Sequence, residues 1–128
     1  MIVVVAAVLE QEGRFLVTRR QDGVHLAGLW EFPGGKIDPG ETHAAALRRE
    51  LLEELDTDVH VGDLMFETTH DYGAVVVQLF FYTCVLNGTP RPLLGQEMRW
   101  VARQDLPHLG FPEADAELIR RLTSSAAT

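Results

Sequence analysis

Glu50, Glu53 and Glu54 stand at i, i+3 and i+4, the spacing that brings side chains together on one flank of an α-helix. Advancing about 100° per residue from Glu41 gathers the three within an arc of roughly 100°. Like charges this close cost about a few tenths of a kcal/mol per pair. The helix macrodipole adds to that cost, because the cluster falls late in the segment. Arg49 relieves only part of it. Two readings are open: a solvated acidic face, or oxygen ligands for a hard divalent cation. Magnesium takes such ligands and keeps waters that phosphate oxygens can replace. The preceding loop favours the second reading. Gly34 and Gly35 let the main chain approach a ligand and offer carbonyls, and Glu41 can fold back from the helix start. A glycine-rich entry followed by acids is a cradle for a metal-bound diphosphate.

These groups need elements to hold them. Thr42 to Leu55 is the clearest helix: Thr42 or Glu41 begins it and alanines fill its first turns. Ala44, Ala45, Leu51, Leu52 and Leu55 fall opposite the acids and are expected to pack on a sheet. Asp56-Thr57-Asp58 ends the helix. Upstream, Ile2 to Leu9 predicts a strand buried on both faces. After the turn Gln11-Glu12-Gly13, the strand Arg14 to Arg20 closes a hairpin. Gln21 to Gly28 is a loop, Leu29 to Phe32 is extended, and Pro33-Gly34-Gly35 ends that extension. Asp38-Pro39-Gly40 has the chemistry of a turn.

Downstream, Val59 to Thr69 and Val75 to Leu86 predict strands around Asp71-Tyr72-Gly73. Asn87 to Pro90 is a turn, and Glu97 to Ala102 a further strand. Pro112 opens a last helix, Glu113 to Leu122, and Thr123 to Thr128 is a polar tail. The order of strands, helix, strands, helix describes an α/β sandwich: one domain over residues 1–128, with a mixed sheet between helices.

Composition narrows the chemistry. The chain has 128 residues and a formal net charge of −8, which argues against binding a polynucleotide through a basic face. A small anion remains compatible, because a bound cation reverses the local field. The single cysteine, Cys84, lies in the apolar run LFFYTCVL and reads as a small buried hydrophobe. The N-terminus has neither the basic region nor the cleavage site of a signal peptide, and no run reaches membrane-span length. A cytoplasmic protein is expected. His43, His60, His70 and His108 show no ligand spacing, and the Gly-Gly-Lys at 34–36 lacks the Ser or Thr of a P-loop.

Gly35, then five residues, Glu41, then seven residues and Arg49-Glu50-Leu51-Leu52-Glu53-Glu54 resembles the Nudix box, G-x5-E-x7-R-E-U-x-E-E-x-G-U. The resemblance covers most of the chain. Thr18-Arg19-Arg20, Leu29 to Lys36 and Phe111-Pro112 are similar to the MutT-type branch, which hydrolyses nucleoside triphosphates to monophosphates and pyrophosphate. It implies a Nudix-type α/β/α sandwich. Glu50, Glu53, Glu54 and the Gly34 carbonyl would bind Mg2+, or Mn2+ in its place. Arg49 would orient Glu50 or its neighbours through a forked hydrogen bond, and Glu53 or Glu50 would take a proton from water. Arg20 and Arg19 would hold phosphates. Phe32, Lys36 and His25 would line the substrate site, with Leu26 and Trp30 as further wall candidates.

Two positions depart from the pattern. Asp56 and Thr57 replace the usual glycine and aliphatic residue, which bears on how the helix stops. Leu94 stands where MutT-type proteins often carry a further carboxylate, and Glu97 is the nearest acid that can substitute as a metal ligand. Asp115 bears on the base. Members specific for 8-oxoguanine have asparagine in the similar stretch; an aspartate accepts from an exocyclic amine such as that of cytosine. The resemblance thus implies a pool-cleaning hydrolase for 8-oxo-dGTP or similar nucleotides, alternatively a hydrolase for CTP or a modified CTP. A non-catalytic nucleotide-sensing module is a third reading. A monomer is expected.

Overall fold

The structure is a computed structural model that describes residues 1–21, 23 and 27–125. His25 and Leu26, both predicted to line the substrate site, lie outside the described residues, as do positions 126–128.

Strand β1 (Ile2–Gln11) is the organising element. Val5 to Leu9 are buried without a break, and their side chains alternate. Val5, Ala7 and Leu9 enter one core with Leu47, Leu51 and Leu55; Ala6 and Val8 enter the other with Leu118, Ile119 and Leu122. A strand covered on both faces reads as a continuous apolar run for this reason. Helix α1 (His43–Leu55) packs on the first face and α2 (Ala116–Ser125) on the second, so the expected α/β/α sandwich is present.

Around β1 lie β2 (Arg14–Arg19), β3 (Trp30–Glu31), β4 (Gly34–Lys36), β5 (Val59–Asp71), β6 (Val76–Leu86) and β7 (Met98–Ala102). The path β3-β2-β1-β6-β5 is extended by β4 on β1 and β7 on β2. The β1–β6 pairing is parallel over Ile2–Leu9 and Val77–Cys84, and the remaining pairings are antiparallel, which makes the sheet mixed. Among the described residues no helix is long and apolar enough to cross a membrane.

Several expectations shift. Gly34 and Gly35 do not end a strand but form one, β4, against Val5 and Ala6. Contact with β1 supplies the pairing that local chemistry opposes. A Cβ on Gly34 would meet the Val5 carbonyl oxygen at 2.0 Å, so this backbone approach admits only glycine. Strand β2 ends at Arg19 rather than Arg20, and β7 begins at Met98 rather than Glu97. Glu113–Asp115 is a 3-10 turn and α2 runs on to Ser125, so Thr123 to Ser125 belong to the helix rather than to a tail. A second 3-10 turn, Arg103–His108, has no counterpart in the sequence reading.

The apolar face of α1 is also corrected. The buried residues are Ala46, Leu47, Leu51 and Leu55, whereas Ala44, Ala45 and Leu52 are exposed. On the same wheel, counted at about 100° per residue, Leu47 and Leu51 lie beside the acidic arc and Leu55 nearly across from it. Packing has rotated the helix so that Glu50 and Glu54 flank the core.

Candidate active site

The N-terminal side of α1 is built around Arg49. Pro39 and Gly40 (φ 84°) make the turn in which the Glu41 N–H donates to the Asp38 carbonyl at 3.0 Å. Thr42 caps the helix, its Oγ1 accepting from the Ala45 N–H at 3.1 Å. Glu41 then folds back as expected. Arg49 Nε and Nη2 donate to its two carboxylate oxygens at 2.8 and 2.9 Å. The Asp38 N–H adds a bond to Glu41 at 2.8 Å. These donors, Arg49 first, hold the Glu41 carboxyl down to about 2. Arg49 Nη2 also donates to the Lys36 carbonyl at 3.1 Å. The fork therefore grips Glu41; Glu50 and Glu53 receive single bonds from Nη1, at 3.0 and 3.4 Å.

The other side of the cluster is different. Glu50 lies against β4, where a Cβ on Gly35 would sit 2.5 Å from its carboxyl carbon. Burial raises the Glu50 carboxyl despite Arg49. Glu54 is pushed up to about 8, by burial first and then by the Glu50, Glu31 and Glu53 carboxylates. The Glu54 and Glu50 carboxyls share a hydrogen bond, but Glu54 Oε2 is buried and has no hydrogen-bond partner among the described residues. Glu31 pairs with Arg20 at 2.8 Å, yet burial outweighs that partner and raises it too.

Among the described residues no three such side chains already converge as a cation cluster, because Glu50 and Glu53 both turn to Arg49. The donor set nevertheless fits a hard divalent cation. It is all oxygen, it crowds acids that resist ionising without a counter-charge, and one buried oxygen has no donor.

Beside this cluster opens a cavity of about 730 Å³, lined among others by Arg20, Glu31, Phe32, Gly34, Gly35, Lys36, Glu50, Tyr72 and Asp115. Six predicted site residues, Arg20, Phe32, Gly34, Lys36, Glu50 and Asp115, thus come together on one hollow. Phe32 is 3 % exposed and stacks on Phe111 at 5.5 Å, so it is core and cavity wall at once. Asp115 is buried on the cavity wall, and its carboxyl is raised to about 7 by burial, with Glu31 adding to the effect. The site extends beyond the sequence reading to Glu31, Tyr72, Leu79 and Phe81. The alternation of Val77, Leu79 and Phe81 along β6 was a visible signal; nothing local marked Glu31 or Tyr72.

Arg19 and Glu97 stand apart. Arg19 Nε donates to the Gly28 carbonyl at 2.9 Å, and Nη1 pairs with Glu97 at 3.1 Å. Glu97 also meets Arg99 at 3.4 Å. Glu97, offered as a substitute metal ligand, lines a different hollow from the one that Glu50 lines. The Arg19 N–H donates to the Glu97 carbonyl across β2 and β7, and two cations then take up the carboxylate. Leu94 is 54 % exposed and supplies no carboxylate. Trp30 is buried in the core with Arg99 over its ring, and does not line the cavity.

Comparisons with known proteins agree with this arrangement. The family model described as NUDIX domain matches residues 4–121. The chain is 38 % identical over 126 residues to the 8-oxo-dGTP diphosphatase of Haemophilus influenzae, covering 95 % of this chain and 91 % of that protein. It is 34 % identical to the CTP pyrophosphohydrolase of Escherichia coli, over 92 % of this chain and 87 % of that one. A solved MutT structure, from work on the Aliivibrio salmonicida and Vibrio cholerae proteins, superposes with a TM-score of 0.81 at 28 % identity and covers 96 % of each chain. With the box residues assembled on one helix beside a nucleotide-sized cavity, the chain belongs to the Nudix hydrolase family, in its MutT-type branch.

Proposed function

We propose that this chain hydrolyses nucleoside triphosphates to monophosphates and pyrophosphate, clearing oxidised or modified nucleotides such as 8-oxo-dGTP from the cytoplasmic pool as a monomer. Family members generally use a divalent metal. The observation that carries the reading is the buried Glu54 oxygen without a partner among the described residues, in a hollow that shares Glu31 and Arg20 with the cavity lined by Asp115.

Glu50, Glu53 and Glu54, with the Gly34 carbonyl, would hold Mg2+ or Mn2+. When bound, the ion neutralises charge developing on phosphate oxygens and lowers the barrier to water attack at phosphorus. The protein supplies the rest. Arg49 sets the Glu50 and Glu53 carboxylates and is itself steadied by the Glu41 fork. Glu53 is the more exposed acid and has a single 3.4 Å bond to Arg49, so its carboxylate is free to take the proton from attacking water. Arg20 and Lys36 face the cavity and hold phosphate oxygens. Asp115 meets the base. Because its carboxyl titrates near 7, it donates to a carbonyl when protonated and accepts from an amine when ionised. The ionised form favours a second reading, hydrolysis of CTP or a modified cytidine triphosphate.

A panel of nucleoside triphosphates with Mg2+, read by pyrophosphate release, tests the proposal. We expect the largest kcat/KM for 8-oxo-dGTP; a far larger value for cytidine nucleotides selects the second reading. Glu53→Gln should abolish turnover while the protein stays folded. Equal activity in that variant would dismiss the mechanism, and an inert wild type that binds nucleotide would make the chain a sensor module.

A further inference from the structure

The last turn of α1 is held from outside the helix. A helix leaves its final carbonyls without partners of its own. Here the Arg91 N–H donates to the Leu55 carbonyl at 2.8 Å, and the Leu93 N–H to the Glu54 carbonyl at 3.0 Å. One side chain joins them. Gln96 Nε2 donates to the same Glu54 carbonyl at 3.2 Å, while Gln96 Oε1 accepts from the Leu94 N–H at 2.9 Å. Gln96 is 8 % exposed, an unusual place for an amide unless both its ends are used. The loop is tied at its far side as well, where Gln21 Nε2 donates to the Leu94 carbonyl at 2.7 Å. Gln96, Glu54, Glu31 and Arg20 all line one small hollow of about 150 Å³.

We propose that Gln96 is a positioning residue: its buried amide clamps the 91–96 loop to the main chain of Glu54 and so fixes the turn from which Glu53 and Glu54 project. Gln96 lies outside the Nudix box and touches neither the cavity wall that receives a base nor Arg49. It acts through Glu54. Without the amide, the Leu94 N–H loses its acceptor, the loop is released, and the Glu54 carboxylate loses a fixed origin. The effect should therefore fall on metal affinity and leave base preference alone. This role rests on the proposed metal-dependent function.

The test is Mn2+ binding to nucleotide-free protein, read by the electron paramagnetic resonance of the free ion, together with metal-free thermal melting. Gln96→Met keeps the volume and removes both hydrogen bonds. Gln96→Asn keeps the amide but is too short to span both partners. Either variant should weaken the Mn2+ Kd by about 10- to 100-fold. Turnover should return toward wild type at saturating metal, and the ratio of kcat/KM between nucleotides should stay unchanged. A merely structural glutamine would lower Tm and leave Kd alone. Should Gln96→Met fail to fold, Gln96→Asn decides. Wild-type Mn2+ affinity in a folded variant overturns the clamp while leaving the proposed function standing. A wild type that binds no Mn2+ overturns both.

Discussion

At one side of α1, Glu41 receives two bonds from Arg49 at 2.8 and 2.9 Å and ionises with ease, its carboxyl held down to about 2. At the other, Glu54 is buried with an unpartnered oxygen and its carboxyl pushed up to about 8. Both residues are glutamates of one motif, Glu41 just before α1 and Glu54 in its last turn. The difference is who faces them: a guanidinium fork in the first case, further carboxylates in the second. The fork is finished structure, satisfied within the fold. The Glu54 corner ionises at neutral pH only when positive charge comes from outside, which is where a metal-dependent enzyme keeps its stored electrostatic demand.

Neutralising the demanding corner should have the largest effect. Glu54→Gln should lower turnover by about 10³-fold, because several kcal/mol of transition-state stabilisation leaves with a metal ligand. The same variant should melt higher than wild type without metal above about pH 8, where the wild-type carboxyl gives up the proton through which it donates and an amide still donates to the neighbouring acids. A lower metal-free Tm would show that the corner is not under-satisfied. Gly35→Ala comes next. Its Cβ would displace the Glu50 carboxyl, so kcat/KM should fall by about 10- to 100-fold with little change in Tm, because only the end of a flexible side chain must move.

Asp115 extends the contrast to another buried acid on the cavity wall. Its carboxyl is raised to about 7 from an ordinary 3.8, so the native state holds a proton that the unfolded chain has released between those values. Its contribution to stability is complete below about pH 3.8 and is lost as pH rises through about 7. Asp115→Asn should flatten the fall in Tm between mildly acidic and mildly alkaline buffer, and should shift preference toward 8-oxo-dGTP over CTP. An unchanged preference would show that Asp115 does not read the base. The smallest effect is expected at the helix stop. Asp56 takes the left-handed conformation (φ 56°, ψ 34°) and its N–H reaches the Leu52 carbonyl, so the stop survives the loss of glycine. Asp56→Gly should add about 0.5 kcal/mol, the relief of a Cβ in that conformation less the entropy of an extra glycine. Chemical denaturation would measure it, and a loss would show that the 3.4 Å contact with Arg91 matters more.

What was legible came from periodicity and spacing. The run Ile2–Leu9 announced a strand covered on both faces, and Thr42 with the box residues announced α1 and its acids. The face of α1 was not legible, because Leu51 and Leu52 look alike in sequence and only packing on β1 buries one and exposes the other. Strand β4 was hidden for a related reason: Pro33-Gly34-Gly35 reads as a breaker until Val5 and Ala6 lie beside it. Glu97 is the acid nearest in sequence to Leu94. Its carboxylate was decided by Arg19 and Arg99, neither of which its local sequence could rank.

The sequence by itself determined which residue types are available and which of them share a helix, since covalent spacing and the 3.6-residue turn set that much without a fold. It placed a carboxylate cluster, a guanidinium and two glycines within reach of one another. Tertiary structure alone decided how those groups differ. Burial, the fork of Arg49 on Glu41 and the approach of Glu31 to Glu54 and Asp115 set the charge of these carboxyls. Those fields depend on distance through space and on exclusion of water, neither of which is written in chain order.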